Sequence, residues 1–252
     1  MYFIDVQGTL IDDADFAPLP GALEFIDRLN ADNVPYLLVT NNTKRPGTEF
    51  LAHLRSVGFS VGAERYFDAL MMLEHVVPKG PTAIFATETF AKQVESLGYT
   101  PDYEHPQTVL LSLRHDYTSE DFAVMIACLL QGARLYGMHE TTLFAKDGRR
   151  YPGTGALLRM LSYAASVDYR VVGKPSALFY REALARMKAF APHAGFGDLT
   201  MISDDPADLR GAAALGMRTC LVLSGKIRPD DTALPRLRGE VTMVYNGVNE
   251  IE

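Results

Sequence analysis

A chain of 252 residues, 48% of them hydrophobic, is long enough for one or two domains with a sizeable core. Its 24 basic residues against 31 acidic ones leave a net charge of −7. Nothing basic is clustered, which argues against nucleic acid and membrane surfaces as partners. An acidic protein with an anionic substrate must gather positive charge locally or take it from a metal.

The chain enters directly on an expected strand over 2–6 (YFIDV), so no leader segment is expected, and no apolar run reaches the length of a membrane span. Further strands are expected over 36–40, 83–87, 108–113, 133–138, 169–173, 199–203, 219–223 and 241–245. Continuous apolar strands of this kind suit parallel sheets covered on both faces. Helical signals fall between them. Ala22, Phe25, Ile26 and Leu29 share one face over 21–29; Thr118 and Asp121 form a capping-box pattern opening 118–131; Ser176 precedes a helix over 177–190; and Pro206 opens another over 206–215. Residues 44–78 read as helical, with Phe67, Leu70, Met71 and Leu73 on one stripe. This alternation predicts a doubly wound α/β fold. The two cysteines, Cys128 and Cys220, lie in apolar stretches without metal or redox spacing and read as buried reduced thiols. With no leader segment, a cytoplasmic location is expected.

In an open α/β sheet the site lies at the carboxyl ends of the strands. Four of those ends carry chemistry: Asp5-Val6-Gln7-Gly8-Thr9, Thr40-Asn41-Asn42-Thr43, Gly173-Lys174-Pro175-Ser176 and Asp204-Asp205-Pro206-Ala207-Asp208. Each alone reads as a turn, a helix cap or a solvated side chain. Their conjunction at one sheet edge would assemble a carboxylate, a hydroxyl, a lysine and an acidic cluster.

These stretches resemble the four motifs of the haloacid dehalogenase-like (HAD) superfamily. "DVQGTL", "VTNNT", "YPGTGALL", "VVGKPS", "SDDPADLRGAAALGM" and "LVLSGKIRP" follow the order of its NagD/nitrophenylphosphatase-like branch over nearly the whole length. The resemblance implies a Rossmann-like, doubly wound parallel-sheet core over 1–78 and 171–252. It implies a smaller α/β cap inserted over 79–170. The implied activity is phosphate-ester hydrolysis through an aspartyl-phosphate, formed when a carboxylate attacks phosphorus. Asp5 matches the nucleophile. Asp5, the backbone carbonyl of Gln7 and Asp204 match the Mg²⁺ ligands, with Asp205 and Asp208 holding metal-bound waters. Thr40 and the amide of Asn41, beside Asn42, match the phosphate-binding motif, and Lys174 matches the cation that neutralises the reacting charges.

Gln7 departs from the pattern. The family carries an aspartate there as general acid and base, a function worth on the order of 10²–10⁴ in rate. An amide cannot exchange that proton. Three readings stay open: a weakened phosphatase favouring good leaving groups, a non-hydrolytic phosphate-ester binder, or other chemistry of the superfamily. Ser203 replaces a glycine of the pattern and reads as a tolerated substitution. The stretch from Met138 to Thr142 lacks the Asn-Pro-Asp-like turn common in the branch.

In this family the cap selects the substrate, here expected to be a small phosphorylated metabolite. Arg114 is the candidate for a second anionic group. His115 and His139 read as solvated residues, and Gly153 and Gly155 as members of a tight structural turn. The resemblance allows a homodimer through the cap.

Overall fold

The computed structural model describes residues 1–43, 45–146 and 149–251, with backbone alone at 145 and 146. The chain runs β1 (Tyr2–Ile4), α1 (Ala22–Ala31), β2 (Tyr36–Thr40), α2 (Gly47–Ser56), β3 (Tyr66–Asp68), α3 (Leu73–Val76), β4 (Pro81–Phe85), α4 (Glu88–Ser96) and β5 (Thr100–Pro101). It continues through β6 (Thr108–Leu111), α5 (Ser119–Leu130), β7 (Arg134–Gly137), β8 (Leu143–Lys146), β9 (Arg149–Pro152), α6 (Thr154–Ala165) and β10 (Tyr169–Val171). It closes with α7 (Ala177–Met187), β11 (Thr200–Ser203), α8 (Pro206–Ala213), β12 (Arg218–Val222), α9 (Leu234–Glu240) and β13 (Met243–Tyr245). Two compact units result. The first joins Met1–Thr40, Gly47–Asp68 and Pro175–Glu252; the second joins Asn41–Pro46 and Ala69–Lys174.

The first unit is built on a parallel sheet in the order β13-β12-β11-β1-β2-β3. The chain lays strands outward from β1 on one side, then returns to lay the rest on the other. The reversal lies between β1 and β11, where Ile4 pairs with Ile202. Alternation along β1 sends successive side chains to opposite faces. Ile4 joins the cluster with Phe25 and Ile26 of α1 and Phe50 and Leu54 of α2. Phe3 stacks instead on Tyr180 of α7, with ring centroids 6.4 Å apart. Both faces are therefore covered, which is why these strands are continuously apolar.

The second unit holds a parallel sheet in the order β10-β7-β6-β4-β5 and the antiparallel hairpin β8-β9. Met125, Cys128 and Leu129 of α5 and Leu158, Leu161 and Ala165 of α6 pack on Val109, Leu111 and Leu135 of this sheet. It too reverses, between β4 and β6.

The doubly wound α/β fold is the one the strand–helix alternation predicts. Several details differ from the sequence reading. The strand expected at 169–173 is β10, paired with β7 in the second sheet, not with the strands that carry Asp5 and Asp204. Apolar periodicity finds a strand but does not say which sheet receives it. The helical stripe through Phe67, Leu70, Met71 and Leu73 breaks into β3, a 3₁₀ turn at Leu70–Met72 and the single turn α3. Gly153 and Gly155 are needed for close approach: a Cβ would stand 2.2 Å from the Thr141 carbonyl oxygen at Gly153 and 2.4 Å from that of Glu140 at Gly155. Cys128 and Cys220 are buried free thiols, as expected. Among the described residues no helix is long and apolar enough to cross a membrane.

The capping box at α5 forms as the sequence predicts: Asp121 N–H donates to Thr118 Oγ1 at 3.1 Å, and Thr118 N–H donates to Asp121 Oδ2 at 2.8 Å. Thr118→Ala is expected to lower stability by about 1 kcal/mol. Asp121→Ala should cost more, because Asp121 also pairs with Arg114. Urea unfolding of the two variants checks the order.

Candidate active site

Asp5 follows β1 at the reversal between β1 and β11. It is nearly buried, and its Oδ1 accepts the Val6 N–H at 2.8 Å. The chain then turns sharply: the N–H groups of Leu10 and Ile11 donate to the Val6 carbonyl at 2.8 and 3.0 Å, and Gly8 N–H donates to the Ile11 carbonyl at 2.8 Å. Gly8 takes the left-handed conformation, with φ 75°, which a residue without Cβ enters without strain.

That turn forms one wall of a slot for Asp204. A Cβ on Gly8 would lie 2.3 Å from Asp204 Oδ2, and one on Gly225 would lie 2.0 Å from the same atom. Two glycines therefore flank the carboxylate at a distance no side chain allows. Hydrogen bonds fix the slot. Asp204 N–H donates to Thr9 Oγ1 at 3.2 Å, Lys226 N–H donates to Asp204 Oδ2 at 2.7 Å, and Ser224 Oγ donates to the Gly8 carbonyl at 2.8 Å. Asp204 Oδ1 is buried with no hydrogen-bond partner among the described residues. An ionised carboxylate oxygen left so is costly unless a cation meets it.

The acids around it have distinct neighbours. Asp205 caps α8 by accepting the Ala207 N–H at 2.9 Å and pairs with the Lys226 ammonium. Asp208, on α8, is buried, and its backbone carbonyl accepts the Tyr180 hydroxyl at 2.9 Å. Ser203 Oγ lies 3.3 Å from Asp5 Oδ2 and 3.4 Å from Asp208 Oδ2, and accepts the Asp205 N–H at 3.0 Å. A residue the sequence reading passes over as filler therefore joins three acidic positions.

Charge follows this crowding. Burial pushes the Asp204 carboxyl well above its ordinary range; Lys226 opposes the rise, and Asp5 and Asp205 add to it. Burial would lower the Lys226 ammonium, but attraction to Asp205, Asp204 and Asp208 outweighs it and raises the group.

Oxygen donors of this kind suit a hard divalent cation. Among the described residues no group of three or more His, Cys, Asp or Glu side chains is spaced to hold a metal. The expected set needs only two such side chains, Asp5 and Asp204, with the Gln7 carbonyl as the third donor. The unpartnered Oδ1 and the mutual repulsion of the acids fit that set.

Of the remaining expected residues, Thr40 ends β2 fully buried, two positions past Leu38, the strand partner of Ile4. Asn41, Asn42 and Lys174 belong to the second unit. The Asn41 side chain grips the Lys174 backbone from both sides: its Oδ1 accepts the Lys174 N–H at 2.9 Å, and its Nδ2 donates to the Lys174 carbonyl at 3.1 Å. Asn42 Nδ2 donates to the Arg45 carbonyl at 2.7 Å, and Lys174 is buried. The Gln7 side chain makes no hydrogen bond among the described residues and is half-buried.

Arg114 follows β6, at the reversal of the second sheet, where a ligand crevice would lie. Its guanidinium pairs with Asp121 and, at 3.1 Å, with Asp116, and it covers the Tyr117 ring at 4.2 Å. The Tyr117 hydroxyl in turn meets the carbonyls of Phe85 and Ser112 at 2.6 and 2.9 Å. Side chains of the same unit thus take up the Arg114 charge. His115 is exposed, as expected, but His139 is buried, with Nε2 3.5 Å from Thr154 Oγ1. The solvated reading of His139 is corrected: it lies two residues past the end of β7, after the buried Met138.

Thr9, Ser224, Gly225 and Lys226 were not singled out in the sequence. The signal for three of them was available. "LSGK" follows β12, a further strand end on the same sheet edge, and a lysine among so many acids should have drawn notice.

A family model described as haloacid dehalogenase-like hydrolase matches residues 2–100, and a related HAD-hydrolase-like model matches residues 171–251. A dihydroxyacetone phosphatase of Corynebacterium glutamicum (strain R) is 24% identical over 255 residues, covering 99% of this chain and 90% of its own. The solved 4-nitrophenylphosphatase of Thermotoga maritima shares the fold with a TM-score of 0.82 at 21% identity, over 99% of this chain and 95% of its own. The glycerol phosphate phosphatase of Mycobacterium tuberculosis, solved in complex with magnesium, gives a TM-score of 0.69 at 26% identity, over 89% of this chain and 68% of its own. This chain belongs to the haloacid dehalogenase-like hydrolases. Its fold is that of NagD and the nitrophenylphosphatases.

A raised carboxyl pKa means that the folded state holds the Asp204 proton more tightly than the unfolded one. The stability tied to that proton is present below the ordinary value of 3.8 and is lost as pH rises through the raised value. In metal-free buffer Asp204→Asn is therefore expected to melt higher than the natural chain at neutral and alkaline pH, by a margin that grows with pH. Thermal melts in chelator across a pH series measure it.

Proposed function

We propose that the protein is a phosphatase of small phosphorylated metabolites that works through an aspartyl-phosphate on Asp5, weakened in its hydrolytic step by Gln7. The observation that carries this reading is the juxtaposition at one sheet reversal of Asp5 and a buried Asp204 with an unpartnered Oδ1. Relatives with phosphatase activity on dihydroxyacetone phosphate, glycerol phosphate and nucleotides support the substrate class. The second unit serves as the cap, and reduced cysteines are in keeping with a cytoplasmic setting.

Asp5, Asp204 and the Gln7 carbonyl are the residues that would hold Mg²⁺. Bound there, the ion would screen the repulsion between an anionic nucleophile and an anionic phosphate. The chain supplies the rest. Asp5 presents a carboxylate oxygen to phosphorus, with its other contacts fixed by Val6 and Ser203. Thr40 and the Asn41 N–H are assigned to the phosphate oxygens. Lys174, its backbone gripped by Asn41, is assigned to the charge shared between nucleophile and phosphate. Asp208 and Asp205 set the field around Asp204, with Lys226 balancing them.

Attack by Asp5 requires none of the chemistry that Gln7 lacks, and a good leaving group departs without a proton. Hydrolysis of the aspartyl-phosphate does require it: water must lose a proton as it attacks, and an amide orients water without accepting that proton. With acetyl phosphate the natural chain should show slow turnover and a long-lived label on Asp5 in rapid-quench experiments. Gln7→Asp should raise steady-state hydrolysis by roughly 10²-fold or more. Fast turnover of alkyl phosphates by the natural chain, with no gain in Gln7→Asp, would overturn the assignment of Gln7. No label on Asp5 would favour a phosphate-ester binder without hydrolysis.

Lys174→Met is expected to weaken phosphate or vanadate binding at least tenfold, the loss of a charge-assisted bond worth about 1.5–3 kcal/mol, with little change in the melting temperature. Calorimetric titration with vanadate, alongside thermal melts, separates the two effects. Unchanged affinity would make Lys174 structural.

A further inference from the structure

Ser203 ends β11 fully buried, and its hydroxyl proton has two acceptors. The Asp205 N–H occupies one lone pair of Oγ, at 3.0 Å. The proton can then point to Asp5 Oδ2 at 3.3 Å or to Asp208 Oδ2 at 3.4 Å. Both separations exceed the roughly 2.5–3.0 Å of a committed O–H···O bond, and one proton cannot serve both acceptors at full strength.

We propose that Ser203 is a positioning residue for dephosphorylation: its hydroxyl turns between Asp208 and Asp5 and assists the release of the phosphoryl group from Asp5. The proposal rests on the phosphatase reading given above. A free Asp5 carboxylate spreads a full negative charge over two oxygens and accepts a charge-assisted hydrogen bond. The acyl phosphate of Asp5 no longer carries that charge on its carboxyl oxygens and accepts a weaker one. While Asp5 is phosphorylated, the Ser203 proton favours Asp208 Oδ2, the acceptor that phosphorylation leaves unchanged. As hydrolysis proceeds, the water oxygen bonds to phosphorus and the bond from phosphorus to the Asp5 oxygen breaks. The electron pair of that bond remains on Asp5 as carboxylate, and both water protons leave on the product, as dihydrogen phosphate. Charge grows on Asp5 through this step, and the Ser203 proton follows it back. Stabilising the departing carboxylate lowers the barrier to the step that Gln7 raises. The same bond holds Asp5 in its free state before attack, so it slows phosphorylation. The two departures from the family pattern, at positions 7 and 203, thereby act on one step in opposite directions.

The experiment labels the natural chain, Ser203→Ala and Ser203→Gly with radioactive acetyl phosphate in the presence of magnesium. It then follows, by rapid quench, the rate at which label forms on Asp5 and the rate at which it decays in a chase. Both variants are small enough for the buried position, and the glycine restores the family's residue. The expected result is label that forms at least as fast as in the natural chain and decays about fivefold more slowly, the effect of one lost hydrogen bond. A merely structural role would instead slow formation together with decay. Label that forms on Asp5 and decays equally fast, or faster, in both variants overturns the proposal and leaves the phosphatase reading standing. Slowed formation in both variants also overturns it. No label on Asp5 in any chain, the natural one included, overturns the proposal together with the reading it rests on.

Discussion

The carboxylate of Asp204 is the constraint around which this site is organised. It is an acid with essentially no solvent exposure, enclosed by Gly8 and Gly225 so closely that neither position admits a Cβ. A buried carboxylate is tolerated when its oxygens are met, and among the described residues only one is met, by the Lys226 N–H. Everything nearby accommodates that imbalance. The turn after β1 is folded to bring Gly8 rather than a side chain against the acid. The loop after β12 supplies a backbone donor and, in Lys226, an ammonium that compensates Asp205. The site is thus a place where the fold crowds acidic groups around one enclosed carboxylate.

The turn after β1 also carries Gln7, where the family pattern has an aspartate. Gln7 has no side-chain hydrogen bond among the described residues, so the turn does not depend on what that side chain is. Its local shape comes from main-chain bonds between Val6, Gly8, Leu10 and Ile11. Function at that position can change without disturbing Asp5 or Asp204. Ser203 differs. Its hydroxyl is bonded into the acidic cluster, so substitution there alters the environment of the nucleophile itself.

Much of this was legible in the chain. The strand after Met1, the capping box at Thr118 and the helix opened by Pro206 are local signals, and local signals survive into the fold. That Asp5, Thr40 and Asp204 follow strands of one sheet was readable because strand ends in an α/β sheet share one edge; Lys174 follows β10, which belongs to the other sheet. What was not legible depends on pairing. Nothing in Tyr169–Val171 states that its partner is β7. Nothing in Arg114 states that Asp116 and Asp121 will take its charge. The hydroxyl of Ser203 acquires its meaning from Asp5, which the sequence places far away. Lys226 was missed because only four strand ends were weighed, although β12 ends on the same edge.

The position of β1 has a consequence for how the chain reaches this structure. The strand that ends at Asp5 precedes all the others described, yet it lies in the interior of its sheet, and one of its two neighbours is β11, with Ile4 opposite Ile202. Closing that pairing requires an ordering of nearly the whole chain, a non-local contact of the kind that slows folding. The sheet of the second unit, by contrast, draws all its strands from Pro81 to Val171. During synthesis the sheet of this unit can be completed while β1 still has an open edge and Asp5 has no Asp204 on the neighbouring strand. The pairing that sets Asp204 next to the strand of Asp5 therefore arrives with the last third of the chain, and a truncated product would keep every strand of the second sheet while β1 lacked one neighbour.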